Sequence, residues 1–248
     1  MTGSLVVVGT GPGKAELMTP ATSAALARAT DLVGYGPYLD RVPMQPGQYR
    51  HASDNRVELD RARHALALAA SGKQVAVVSG GDPGVFAMAA AVFEAVEAGE
   101  PAWRTLDIRV EPGVTAMLAA AAEVGAPLGG DFCAISLSDN LKAWTTIERR
   151  LSAAAEADFV IALYNPASKA RPRQLGEALA LLRTRKKAAT PVLFIRAAGT
   201  SEAKVVSTTL GDADASTADM RTLVIIGAST TRQVGRWVYT PRGERAAS

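Results

Sequence analysis

Three short stretches carry residues whose types and spacing suit a ligand. Ser79-Gly80-Gly81-Asp82-Pro83-Gly84-Val85-Phe86 sets paired glycines beside a carboxylate. Glycines admit a ligand close to the backbone, and Asp82 puts a negative charge next to exposed amide donors. The same residues also read as a tight turn in which Asp82 caps the following helix. Pro112-Gly113-Val114-Thr115-Ala116 offers a small hydroxyl that either caps a helix or hydrogen-bonds a ligand. Gly9-Thr10-Gly11-Pro12-Gly13 resembles a dinucleotide loop at a glance, but Pro12 has no amide hydrogen to give a phosphate. The next helix starts only at Thr19-Pro20, so a pyrophosphate would not meet a helix amino terminus there.

Elsewhere the chemistry is sparser. Tyr38, Arg41, Tyr49, Arg50 and Arg56 sit in or beside an irregular region running from Gly36 to about Asn55. A loop of that length is usually functional or disordered. These residues suit a large anionic ligand, or else are solvated surface charge. His51 and His64 are the only histidines, and Cys133 is the only cysteine. That excludes an intramolecular disulfide and a cysteine cluster, and no metal site is expected.

All three glycine stretches follow short apolar runs, and this places them on a parallel α/β scaffold. Residues 5–8, 31–35, 74–78 and 106–110 read as strands, with helices at 21–29, 57–71 and 87–98. In the helix at 57–71, Leu59, Ala62, Leu66 and Ala69 fall at core spacing, and His64 is an ordinary helix residue. In the second half, strands are expected at 132–137, 158–163, 191–195, 204–208 and 222–226. Helices are expected at 144–157 and 174–183, and a linker at 197–201. The fold class is α/β: two small α/β domains, 1–115 and 116–240, with a flexible tail at 241–248. Two such halves imply an active site in the cleft between them.

Composition supports this and narrows the partners. A chain of 248 residues with 48% hydrophobic content can bury a substantial core. Lys and Arg number 27 against 24 Asp and Glu, too even a balance to argue for nucleic acid. No signal peptide and no bilayer-length apolar run is visible, so a cytoplasmic protein without membrane contact is expected.

Taken in order, these stretches resemble the tetrapyrrole methylase family, two-domain S-adenosylmethionine-dependent enzymes of corrin and sirohaem biosynthesis. The general marks are residues 8–13, 80–84 and 112–116. Val33-Gly34-Tyr35-Gly36-Pro37-Tyr38-Leu39, Ile135-Ser136-Leu137-Ser138-Asp139 and Ala162-Leu163-Tyr164-Asn165-Pro166 are more specific and are similar to its ring-contracting branch. The resemblance implies methylation of precorrin-3B at C17, with contraction of the macrocycle to precorrin-4. It implies that Pro12, Gly80, Gly81, Asp82, Val85, Thr115, Ala116, Asn165, Ala198 and Gly199 contact S-adenosylmethionine. Pro12 and its neighbours would face the tetrapyrrole, with Gly11, Tyr38, Arg41, Arg171 and Arg173 as substrate contacts. Arg50 and Lys169 are further candidates for the substrate carboxylates. Ser136 and Asp139 are the catalytic candidates, with Ser138 and Asp131 nearby. A homodimer is also implied.

Two departures stand out. Gly36 occupies a place where porphyrinogen-methylating members tend to carry aspartate, so no catalytic acid is transferred there. Ring-contracting members read Leu-Gly-His-Asp-Phe where this chain has Leu128-Gly129-Gly130-Asp131-Phe132. A possible proton-transfer group is therefore missing at position 130. The alternatives are a cobalt-precorrin-3 methyltransferase, or a catalytically impaired member that binds a tetrapyrrole.

Overall fold

The uncharged, β-branched run Leu5-Val6-Val7-Val8 forms β1 (Ser4–Gly9), whose Val7 and Val8 are fully buried. A run this apolar needs cover on both faces, which is the condition of a central parallel strand. A computed structural model describes residues 3–54 and 57–243 of the chain. Arg56 and residues 244–248 of the expected tail lie outside the described residues. The chain divides into two compact units, Met1–Ala116 and Met117–Ser248.

In the first unit β1 is followed by α1 (Pro20–Arg28), where Thr19 Oγ1 accepts the Thr22 amide at 3.1 Å and Pro20 opens the helix. Next come β2 (Asp31–Tyr35), the short α2 (Gly36–Leu39), β3 (Tyr49–Ser53) and α3 (Glu58–Ala70). The unit closes with β4 (Gln74–Ser79), α4 (Met88–Ala98) and β5 (Asp107–Glu111). The five strands lie in the order β3-β2-β4-β1-β5, every pair parallel. One face packs on α3 and α4 through Leu66, Ala69, Val92 and Ala95. The other packs on α1 and α2 through Leu26 and Leu39. All carboxyl ends therefore share one edge, where such sheets carry ligands.

The second unit takes up α5 (Ala116–Val124), which begins at the last residue of the first. It continues with β6 (Gly125–Ala126), β7 (Phe132–Ser136), α6 (Trp144–Glu156), β8 (Val160–Tyr164) and α7 (Gln174–Arg183). β9 (Pro191–Arg196), β10 (Lys204–Thr209), β11 (Thr222–Ile226), β12 (Arg232–Val234) and β13 (Trp237–Tyr239) complete it. Its main sheet has the order β10-β9-β11-β8-β7. β7 and β8 are parallel, whereas β11 runs antiparallel to both β8 and β9. The carboxyl ends of β7, β8 and β9 thus meet at one edge.

Several expectations need correction. The region 36–55 is not irregular throughout, because it holds α2 and the edge strand β3. β3 carries its polar residues on an exposed border, so no apolar alternation marked it. Leu59 is 37% exposed rather than core, since it lies in the first turn of α3, before the helix meets the sheet. The strand expected from 158 starts at Val160. Asp158 instead adopts φ 54°, and its carboxylate accepts the Ser229 amide at 3.0 Å and Lys186 Nζ at 2.9 Å. The small sheet of β12, β13 and β6 gave no sequence signal at two or three residues per strand.

Candidate functional site

At the carboxyl edge of the first sheet, the loops after β1, β4 and β5 are bonded to one another. Gly11 and Gly81 exchange both backbone hydrogen bonds, at 3.1 and 2.8 Å. Both have positive φ, 74° and 66°, which glycine adopts without the cost a Cβ would bring. Gly9 and Gly113 are needed for a second reason, close approach. A Cβ on Gly113 would stand 2.3 Å from the Gly81 carbonyl oxygen, and one on Gly9 would stand 2.6 Å from the same atom.

Asp82 ties the edge together. Its Oδ1 accepts the Gly84 amide at 2.8 Å, and its Oδ2 accepts the Gly113 amide at 3.0 Å. The reading of Asp82 as a helix cap is thereby corrected. α4 begins six residues later, at Met88, with Ala87 in the cap position. The carboxylate closes a turn of its own and reaches across to the β5 loop.

These contacts bring many of the expected residues together. A Cβ on Gly81 would have Thr115 Cα and the Ala116 amide as its nearest neighbours, each at 3.8 Å, so the glycine borders the last residues of the first unit. Thr115 is buried, and Pro12 and Val85 are half-buried. Tyr38 lies against Gly80, where a Cβ would come within 2.7 Å of its ring. Arg41 sits over the same ring at 5.6 Å. Burial pushes the Tyr38 phenol up, with the Arg41 and Arg61 charges acting against it. Tyr49 and Arg50 are elsewhere. They open β3, paired with Asp31 and Leu32 at the amino end of β2. Arg50 donates to the Val42 carbonyl of its own loop, so its charge does not point to the glycine loops.

In the second unit a second cluster forms where β7, β8 and β9 end. Asn165, at φ 53°, donates from Nδ2 to Ser136 Oγ at 2.9 Å, and the Ser138 amide donates to the same oxygen at 3.3 Å. With both lone pairs engaged, Ser136 keeps only its hydroxyl hydrogen to offer. It is a donor here, not a base. Asp139 Oδ2 accepts Gln174 Nε2 at 3.1 Å. Arg171 donates to the Asn165 carbonyl at 3.0 Å, whereas Arg173 is exposed beside Glu177. Lys169 is exposed as well.

Ala197 (φ 51°) and Gly199 (φ 71°) turn the chain after β9, and residues 197–199 are buried. The Gly199 amide donates to Glu123 Oε1 at 3.2 Å, and the Met117 amide donates to Tyr164 Oη at 3.0 Å. Both ends of α5 are thus fastened to this edge. Sequence reasoning missed Glu123 and Tyr164 in these roles. Their signals were present: Glu123 is the one charged residue of α5, and Tyr164 is the polar end of an apolar strand.

The donor set suits a cofactor with a cationic centre and no phosphate. Across residues 10–13, 80–87 and 112–116, Asp82 is the one charged side chain. No cation is present there to repel a sulfonium, and no lysine or arginine to hold a phosphate. No group of His, Cys, Asp and Glu among the described residues is arranged to hold a metal ion. No helix of the described residues is long and apolar enough to cross a membrane.

Comparison with known proteins follows the same lines. Residues 4–214 match the model of the tetrapyrrole (corrin/porphyrin) methylases. Over 253 residues and the full length of both chains, the protein is 60% identical to a precorrin-3B C(17)-methyltransferase of a Sinorhizobium species. A crystal structure of the methyltransferase CobJ superposes with TM-score 0.94 at 55% identity, over 96% of this chain and all of that one. The uroporphyrin-III C-methyltransferase of Thermus thermophilus, solved with S-adenosyl homocysteine, shares the fold at TM-score 0.67 and 22% identity, over 91% and 97% of the two chains.

Proposed function

Because the chain belongs to the tetrapyrrole methylase family, we propose that it transfers a methyl group from S-adenosylmethionine to C17 of precorrin-3B and contracts the macrocycle to precorrin-4. The observation that carries this reading is the full-length 60% identity to a relative of that name, joined to the closed glycine edge of the first unit.

In this reading the bonded loops of the first unit hold the cofactor. Gly80, Gly81, Val85, Thr115 and Ala116 supply the contacts, and Asp82 keeps the loops in register. Pro12 and Gly11 face the reacting methyl and the substrate, and Asn165, Ala198 and Gly199 are further cofactor contacts. When bound, the cofactor supplies an activated methyl electrophile, so no enzyme nucleophile is needed. Alignment in a near-attack geometry is then the protein's main contribution, of order 7–11 kcal/mol.

Contraction extrudes C20 as an acetyl group and requires a proton to leave the C20 hydroxyl. Ser136 is already saturated as an acceptor, so Asp139 takes the proton and Ser136 donates a hydrogen bond. Tyr38, Arg41, Arg171 and Arg173 face the substrate carboxylates. The active protein is a homodimer in the cytoplasm.

The test is anaerobic incubation with precorrin-3B and methyl-labelled S-adenosylmethionine, read by mass spectrometry and carbon NMR. Label at C17 with an acetyl group on a contracted ring is the expected result. Turnover of the cobalt-containing macrocycle alone, or binding of both ligands without transfer, overturns it.

A further inference from the structure

Arg61 is a buried arginine, only 4% exposed, on the inward stripe of α3. Its Nε donates to Ser53 Oγ at 2.8 Å, and one Nη donates to the Asp54 carbonyl, at the last residue of β3 and the one after it. The other Nη reaches Met88 Sδ at 3.3 Å. Burial pushes the guanidinium below its usual range, with Glu58, Tyr38 and Asp54 acting against that. A cation this deep is costly unless its hydrogen bonds are met, so its partners are held in place with it.

The location gives those bonds a use. Met88 is the first residue of α4, directly after the glycine loop of residues 80–87. At the other end of that loop Gly80 lies against the Tyr38 ring. The loop itself holds two left-handed residues, Gly81 at φ 66° and Phe86 at φ 52°. The second is a non-glycine residue whose conformation must be imposed by its surroundings.

We propose that Arg61 is a positioning residue for the cofactor loop, anchoring its exit at Met88 to the end of β3 while touching no ligand itself. The claim that this loop meets S-adenosylmethionine rests on the function proposed above; the claim that Arg61 sets the loop's conformation does not.

The experiment compares Arg61→Met, Arg61→Lys and Ser53→Ala with the unmodified protein. Amide exchange is followed at residues 80–88 and at β1, alongside binding of S-adenosylhomocysteine and steady-state kinetics. Arg61→Met is expected to speed exchange in the loop roughly tenfold, an opening easier by one factor of ten, while β1 stays protected. KM for S-adenosylmethionine rises more than kcat falls, and Arg61→Lys recovers part of both changes. Should Arg61→Met fail to fold, Ser53→Ala reports the same loop loosening at smaller amplitude. Unchanged loop exchange in the folded variants, or loss spread equally over β1, overturns the proposal. Faster loop exchange in a protein that does not bind S-adenosylhomocysteine would sustain the role of Arg61 and overturn the cofactor reading instead.

Discussion

The Asp82 carboxylate accepts the amide of Gly113 at 3.0 Å, across 31 residues of chain. One side chain thereby joins the loop after β4 to the loop after β5, next to the paired Gly11 and Gly81. Asp82→Ala should cost about 1–3 kcal/mol, because it leaves the Gly84 and Gly113 amides without their acceptor. Affinity for S-adenosylhomocysteine should fall with it. Denaturant unfolding and calorimetry check both; full affinity in the variant would show that the tie is not needed for binding.

Gly130 is fitted to its surroundings. A Cβ there would lie 2.9 Å from Thr240 Cγ2. Thr240 cannot easily turn away, since its hydroxyl donates to the Pro127 carbonyl at 2.6 Å and meets Thr231 Oγ1 at 2.8 Å. Gly130→His should therefore destabilise the protein by about 1–3 kcal/mol through overpacking, with no gain in kcat. Adding Thr240→Ser, which removes the clashing methyl, should return part of the loss in a double-mutant cycle. A more active, equally stable Gly130→His protein would contradict this.

Asp31 is a buried carboxylate whose Oδ1 meets His51 Nε2 at 2.8 Å and whose Oδ2 accepts the Thr30 hydroxyl at 2.7 Å. Burial raises its pKa, but the His51 and Thr30 hydrogen bonds and the Lys73 charge outweigh that and hold it below the usual carboxylate range. A depressed carboxyl contributes stability above its unfolded value, near pH 4, and loses it as pH falls through the folded value. Asp31→Asn should be less stable at pH 7, with the gap closing in the acid range. Unfolding curves across that range would show a constant gap if the ionised carboxylate were unimportant.

Ser136 and Asp139 should separate under mutation. Asp139→Asn removes the proposed proton acceptor and should lower the rate of contraction by about 10²–10⁴, with a methylated, uncontracted macrocycle accumulating. Ser136→Ala removes the acceptor of Asn165 Nδ2 and of the Ser138 amide, so it should slow methyl transfer as well. Product analysis by mass spectrometry tells the two patterns apart. Equal loss of both steps in Asp139→Asn would refute its role as acceptor.

Much of this was legible in the chain. Uncharged β-branched runs announced β1 and β4, and the Gly-Pro stretches after them marked the ligand edge. β3 was not legible, because it is a polar border strand held by pairing with β2 rather than by burial. The inward course of Arg61 was half legible: it stands four residues before the buried Ala65, on the apolar stripe of α3, and its charge argued the other way. Asp82's reach to Gly113 was not legible, since only the parallel sheet sets β5 beside β1.

The strand order carries a consequence for biosynthesis. β1, which precedes the other strands in chain order, lies between β4 and β5, and Ser4 meets Gln74 across 70 residues. Pairing at such separation must meet its loop-closure cost before any contact rewards it, which makes the step slow. The nascent chain therefore waits, with an apolar strand exposed, until Gln74–Ser79 has emerged. Shielding of that waiting segment, rather than the strength of the finished sheet, should decide how much of the protein reaches its folded form in the cell.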